Sequence, residues 1–285
     1  MATTTSITTT YAGEFAGKYI SAALLSANTI EKGGIEVKPN IKFKEVIKKL
    51  ATGALIANGG CDFAATSSVT LTERIIEPET FQVNLELCKA DFRSDWEAVS
   101  MGYSAFDSLP KTFQDYLLAH VVAKVAEKNE QNIWRGVNAN AGEFDGFTVL
   151  AAADADVIDV TGSATDASNI ISALGAVVDA IPETIYGNEG LSIYISQADA
   201  RSYVRAQAAL GYKDLYHVGQ TEMDFEGVKL FVANGLSAGV MVAGEKENLS
   251  FGCGLQNDQN LVKLIDLADI DGSQNVRVIM RYSAG

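Results

Sequence analysis

An α+β fold is predicted by three observations. One helical stretch is unusually long, two strand-like runs flank a soft segment with no core of its own, and the second half alternates short strands with amphipathic helices. The helical stretch, Ser108 to Gly136, organises the rest. Ser108 suits an N-cap, Pro110 a first turn whose N–H lacks a partner anyway, and Gly136 a left-handed stop, so a rod over about 109–135 is expected. Phe113, Leu117, Val121 and Val125 recur at helical spacing, and Tyr116, Leu118 and Val122 widen the stripe, which predicts one broad buried face. Roughly 25 helical residues at about 1.5 Å each span about 38 Å, the breadth of a domain.

In chain order, Met1 to Thr10 is nearly all Thr and Ser and cannot bury enough apolar surface to offset its own ordering, so an arm is expected there. A short helix is expected between Tyr11 and Ile30. Ile35, Val37, Ile41 and Phe43 alternate on the way out and Val69, Leu71 and Ile75 on the way back, around the glycine-bearing middle Ala51 to Ser68. That pattern predicts a long two-stranded excursion, which is marginal alone and implies stabilising contacts with another molecule. Phe81, Val83, Leu85 and Leu87 alternate with polar partners as a half-buried strand. A short helix around Trp96 then leads to the rod, and the Gly-, Ala- and Asp-rich residues up to Asp166 read as a boundary or rim loop.

Helical periodicity restarts from Thr165 to Ile181 and stops at Pro182. Leu191 to Ile195 reads as a strand, and Ser196 with Asp199 has capping-box spacing that opens a helix to about Ala209. Val228 to Ala233 and Val240 to Ala243 read as buried strands, and Asn260 to Asp269 with Val276 to Tyr282 as a closing pair around an Asp271-Gly272 turn.

Composition narrows the function. The 285 residues are 47% hydrophobic, with 22 Lys+Arg against 36 Asp+Glu and a net charge of -14. Phosphate neutralisation supplies most non-specific nucleic-acid affinity, and no basic run exists to provide it. Cys61, Cys88 and Cys253 lack metal or disulfide spacing and read as reduced, buried thiols. The N-terminus has no basic start followed by an apolar run, and His120 and Lys124 interrupt the most apolar stretch, so no membrane association is expected.

Chemical motifs fail on inspection. Gly235-Leu236-Ser237-Ala238-Gly239 matches a nucleophile elbow, but a strand rather than a helix is expected after it and no histidine follows His217. A turn between strands accounts for the string, leaving a serine hydrolase using Ser237 as a minor alternative. His120 sits mid-rod among apolar neighbours and reads as a core residue, while His217 has no ligand-spaced partner. Asp154, Asp156 and Asp159, and Asp266, Asp269 and Asp271, lack calcium-loop spacing and read as solvated acidic loops. Gly252-Cys253-Gly254 starts like a dinucleotide fingerprint, but Asn257 stands where its third glycine belongs. No catalytic, cofactor-binding or metal-binding residue is nominated, and the chain is read as a non-enzyme with no cofactor.

The runs ETFQVNLELCKADFRSDWEA, LPKTFQDYLL, NEQNIWRG with GEFDGF, and ENLSFGCGLQNDQNLVKLIDL resemble the tailed-bacteriophage major capsid proteins of the Hong-Kong-ninety-seven fold. The order of elements agrees with that family across the chain. The resemblance implies an N-terminal arm over 1–34, an extended loop over 35–78, a peripheral domain from 79–147 and 251–285 containing the spine helix, and an axial domain over 148–250. It further implies self-assembly into pentamers and hexamers of an icosahedral virion shell, made in the bacterial cytoplasm and enclosing DNA without sequence-specific contacts. Portal, scaffolding and decoration proteins follow as partners. No charged helical scaffolding extension precedes Ile35, so scaffolding is expected from a separate protein or not at all, and no crosslinking residues can be matched. The alternative is another self-assembling phage or encapsulin-like protein.

Overall fold

The computed structural model describes residues 28–56, 58–59, 65, 67–89, 111–210, 223–254 and 262–285. The expected arm, most of the Tyr11–Ile30 helix, the helix around Trp96, Ser108, Pro110, His217, Cys61 and Asn257 lie outside these residues.

A short helix α1 (Asn28–Glu31) leads to strand β1 (Glu36–Lys38), and the ribbon follows as β2 (Glu45–Thr52) and β3 (Val69–Ile76), paired antiparallel, among the described residues, only with each other. The predicted two-stranded excursion is present. Strand β4 (Glu79–Cys88) then leads towards the long helix α2 (Lys111–Arg135), 25 residues where the pattern predicted a rod. Its described apolar stripe is only partly covered: Val121 is buried and Leu117, Leu118, Val122 and Val125 are half-buried, whereas the last turns bury Glu130, Asn132, Ile133 and Trp134. Among its described residues, the rod buries most at its C-terminal end.

Gly136 does not supply the expected left-handed stop. It lies outside the positive-φ residues, and a Cβ there would sit 2.2 Å from the Phe144 carbonyl oxygen, so glycine is required by close backbone approach. The segment beyond it is more ordered than a rim loop, since it contains helix α3 (Phe147–Ala153), whose Thr148 hydroxyl donates to the Trp134 carbonyl at 2.6 Å.

Helix α4 (Ile170–Asp179) starts later than its periodicity suggests, because Asp166 accepts hydrogen bonds from the backbone of Ser168 and Asn169 and turns the entry into a local loop. Strand β5 (Leu191–Ile195) and helix α5 (Gln197–Ala209) match their predictions, and the Ser196 hydroxyl accepts the Asp199 N–H at 3.1 Å as the cap requires. Strands β6 (Met223–Phe225), β7 (Val228–Val232) and β8 (Val242–Glu245) complete a four-stranded sheet in the order β6-β7-β5-β8. The expected buried strand at Val240–Ala243 is displaced towards the C-terminus, and Ala243 is exposed because β8 is an edge strand.

Strand β9 (Ser250–Gly252) pairs parallel with β1. Strand β10 (Val262–Asp266) and β11 (Asn275–Ala284) form the closing antiparallel pair, but a short helix α6 (Ala268–Asp271) joins them and Gly272 takes the left-handed position after it. β11 alternates buried and accessible residues along its length and pairs in full register with β4, from Asn275 opposite Cys88 to Ala284 opposite Glu79.

Two cores result. Ile133, Trp134, Phe144, Tyr194, Phe251, Met280 and Tyr282 belong to one, and Ile170, Leu174, Ile193, Ile195, Tyr203 and Leu230 to the other. Strand β5 serves both, since successive side chains point to opposite faces: Ile193 and Ile195 enter one core, while Tyr194 enters the other with its ring 5.0 Å from that of Trp134.

Candidate assembly surface

The ribbon displays the largest run of exposed apolar side chains among the described residues. Its register places Val46 opposite Ile75, Lys48 opposite Glu73, Leu50 opposite Leu71, and Thr52 opposite Val69 on one face. The five aliphatic side chains there range from 45% exposed at Val46 to 66% at Leu71, and Phe43, Leu55 and Ile56 add further exposed apolar surface. Such a stripe on a two-stranded element, interrupted by the Lys48 and Glu73 pair, marks a contact surface, because a ribbon of this size has no core to stabilise it.

A buried polar node ties three distant segments together. Glu130 of α2, 1% exposed, accepts the Thr29 N–H at 3.1 Å, the Thr29 hydroxyl, and the Gly235 N–H at 3.4 Å. Trp134 Nε1 donates to the same Thr29 hydroxyl at 2.9 Å. Asn28 accepts the Asn234 N–H at 3.1 Å and donates to the Val232 carbonyl at 2.5 Å. Burial pushes the Glu130 carboxyl above the usual range, with the hydrogen bonds from Thr29 and Gly235 opposing and nearby Glu31 adding to the rise. A Cβ on Gly235 would lie 1.9 Å from the Glu130 carbonyl oxygen, so this glycine permits the turn to touch the spine helix. The sequence shows a glutamate on the rod but no signal that its partners lie about a hundred residues away on either side.

The residues weighed for chemistry do not converge. Ser237 lies in the turn between β7 and β8, as the strand-turn-strand pattern suggested. His120 lines an open groove of about 430 Å³ between α2 and the sheet, with Phe81, Val83, Leu85, Val121, Val125 and Tyr282. No carboxylate, thiol or serine hydroxyl is among that groove's described lining residues. Cys253 is buried, and burial pushes its thiol up, which keeps it protonated and unreactive. Gly252 ends β9 and Cys253 forms a bridge with Ala284, so the start of the Gly252-Cys253-Gly254 string belongs to strand pairing.

Two of the acidic loops are not simply solvated. Asp154 binds Arg74, Asp156 lies 3.9 Å from Lys49, and Asp266 bonds the buried Lys89 at 2.5 Å. Burial works against the Asp266 carboxylate, yet the Lys89 ammonium beside it holds it below the usual range. Among the described residues no cluster of three or more His, Cys, Asp or Glu side chains is arranged to hold a metal ion, and no helix is long and apolar enough to cross a membrane.

No family model and no curated protein matches the sequence. Solved structures do match in shape. The capsid of an empty GTA particle superposes with a TM-score of 0.63 at 12% identity, over 94% of this chain and 93% of that one. The fold is Hong-Kong-ninety-seven-like. The capsid of the native GTA particle gives 0.59 at 12% identity, covering 94% of this chain and 89% of its own. A structure from Mycobacterium phage Cain gives 0.56 at 14% identity, covering 98% and 88%. Nearly the whole length of this chain thus shares the capsid fold, with almost no sequence carried over.

Proposed function

We propose that the chain is a major capsid protein, a structural subunit that assembles with copies of itself into the icosahedral shell of a tailed bacteriophage around its DNA. The observation that carries this is an exposed apolar ribbon face on a fold shared with capsid structures. Isolated ribbons of this kind are marginal, so the Val46, Leu50, Val69, Leu71 and Ile75 side chains are expected to gain their cover from a second copy. The expected division follows: arm 1–34, extended loop 35–78, peripheral domain 79–147 with 251–285, and axial domain 148–250. Pentamers and hexamers form the shell, and portal, scaffolding and decoration proteins are its further partners. The net charge of -14 suits a wall that does not grip the DNA it encloses. The role is structural rather than enzymatic, with no cofactor, and the protein resides in the virion after synthesis in the bacterial cytoplasm.

The test is assembly. Purified protein should form closed particles by negative-stain electron microscopy and light scattering. Deletion of residues 51–68, or the pair Leu50→Ser and Leu71→Ser, should leave a folded, soluble subunit that no longer assembles. A protein that stays monomeric under every salt and concentration tried would sink the proposal, and global unfolding of the deletion would contradict an intermolecular role for the ribbon.

A further inference from the structure

The second face of the ribbon has a different chemistry. It carries Glu45 opposite Ile76, Ile47 opposite Arg74, Lys49 opposite Thr72 and Ala51 opposite Thr70, so Arg74 and Lys49 are its two cations. Both meet acids of the segment that closes α3. Arg74 donates to Asp154 Oδ2, and Lys49 Nζ lies 3.9 Å from Asp156 Oδ2. Asp154 is held ready for this contact: it is the C-cap residue of α3, and its Oδ1 accepts the Asp156 N–H at 3.1 Å, leaving Oδ2 for the guanidinium. The helix behind it is fixed to the spine by the Thr148 hydroxyl bond to the Trp134 carbonyl and by the Phe147 ring, 5.6 Å from that of Trp134.

We propose that Arg74 and Lys49, with Asp154 and Asp156, form an electrostatic latch that holds the ribbon against its own subunit and turns the apolar face outwards. Opening the latch frees the ribbon to change its angle and reach. Both pairs are solvent-accessible, with Arg74, Lys49 and Asp156 side chains 68%, 68% and 77% exposed. Such pairs bias a position without locking it, and two together shift a closed-to-open ratio by roughly two- to thirty-fold. The latch is a property of the single subunit. Its consequence, that ribbon reach is set before a second copy docks, rests on the shell function proposed above.

The experiment is hydrogen-deuterium exchange on the unassembled subunit at low concentration, read at amides 154–160, 45–52 and 69–76. Exchange should rise several-fold in these segments in the Arg74→Glu/Lys49→Glu variant, since an undocked ribbon is marginal alone. It should rise likewise in the wild type at about 1 M salt, where the screening length is about 3 Å. The charge-swapped variant Arg74→Asp/Asp154→Arg should stay near wild type at low salt. Unchanged exchange in the reversal variant, or a swapped variant that exchanges as fast as the reversal, overturns the latch. Amides 170–195 serve as the fold control. If they also exchange faster in a variant, the salt response of the wild type decides, and its absence overturns the latch. Particle formation is scored separately by light scattering, so failure to assemble counts against the shell function while the exchange result stands on its own.

Discussion

Replacing Glu130 by Ala tests whether the buried node holds α1, the long helix α2 and the turn after β7 together. The carboxylate accepts two backbone N–H groups, from Thr29 and Gly235, and the Thr29 hydroxyl. The hydroxyl keeps its bond from Trp134 Nε1, so the substitution orphans chiefly the two buried N–H groups, at about 1–3 kcal/mol each. Part of this is offset, because a buried carboxylate carries a desolvation cost, the same cost that raises its pKa. A net loss of about 2–4 kcal/mol is expected. Urea unfolding of the unassembled subunit, followed by tryptophan fluorescence, should show the midpoint falling by roughly 1–2 M for an m-value of about 2 kcal/mol/M. A loss below about 0.5 kcal/mol, the size of an ordinary surface change, would refute a structural role for the node. The pH dependence has a definite sign. The folded-state pKa lies above 4.5, so the folded state takes up this proton first, and the contribution is full below the unfolded value and lost as pH rises through the folded one. The gap between wild type and Glu130→Ala should therefore widen as pH falls from neutral towards about 4.5.

Gly235→Ala should be severe, since its Cβ would fall 1.9 Å from the Glu130 carbonyl oxygen; a loss of about 1–3 kcal/mol or more is expected, read as reduced soluble yield and a lower urea midpoint. Gly136→Ala should behave the same way for the same reason, whereas a glycine kept only for a left-handed stop would tolerate Asn, so Gly136→Asn should be no milder than Gly136→Ala. Hydrogen bonds from Lys128, Asn140 and the Val137 N–H hold the Glu143 carboxyl down to about 2. Its contribution to loop order is thus present above the ordinary value of 4.5 and lost as pH falls through about 2, and Lys128→Ala should move its NMR titration midpoint upwards. Ser237→Ala should leave the urea midpoint and any background ester hydrolysis unchanged, and a loss of hydrolysis would revive the nucleophile elbow.

Local periodicity determined much of this protein. The 3.6-residue stripe announced α2, the period-2 runs announced β4, β5 and β11, and Ser196 with Asp199 announced the start of α5, because each signal lies within one element and depends on that element's own geometry. The coreless ribbon was legible for a related reason: alternating aliphatics around a glycine-bearing middle describe two strands with nothing to pack on. Tertiary structure decided what depends on partners distant in sequence. Gly136 and Gly235 looked like turn residues, yet each is glycine because another backbone passes within contact distance. Asp154 and Asp156 looked like solvated loop acids, yet they meet cations about eighty and a hundred residues earlier in the chain. Glu130 carried no mark of burial, since the N–H groups that satisfy it belong to a helix start and a turn that only folding brings to the spine.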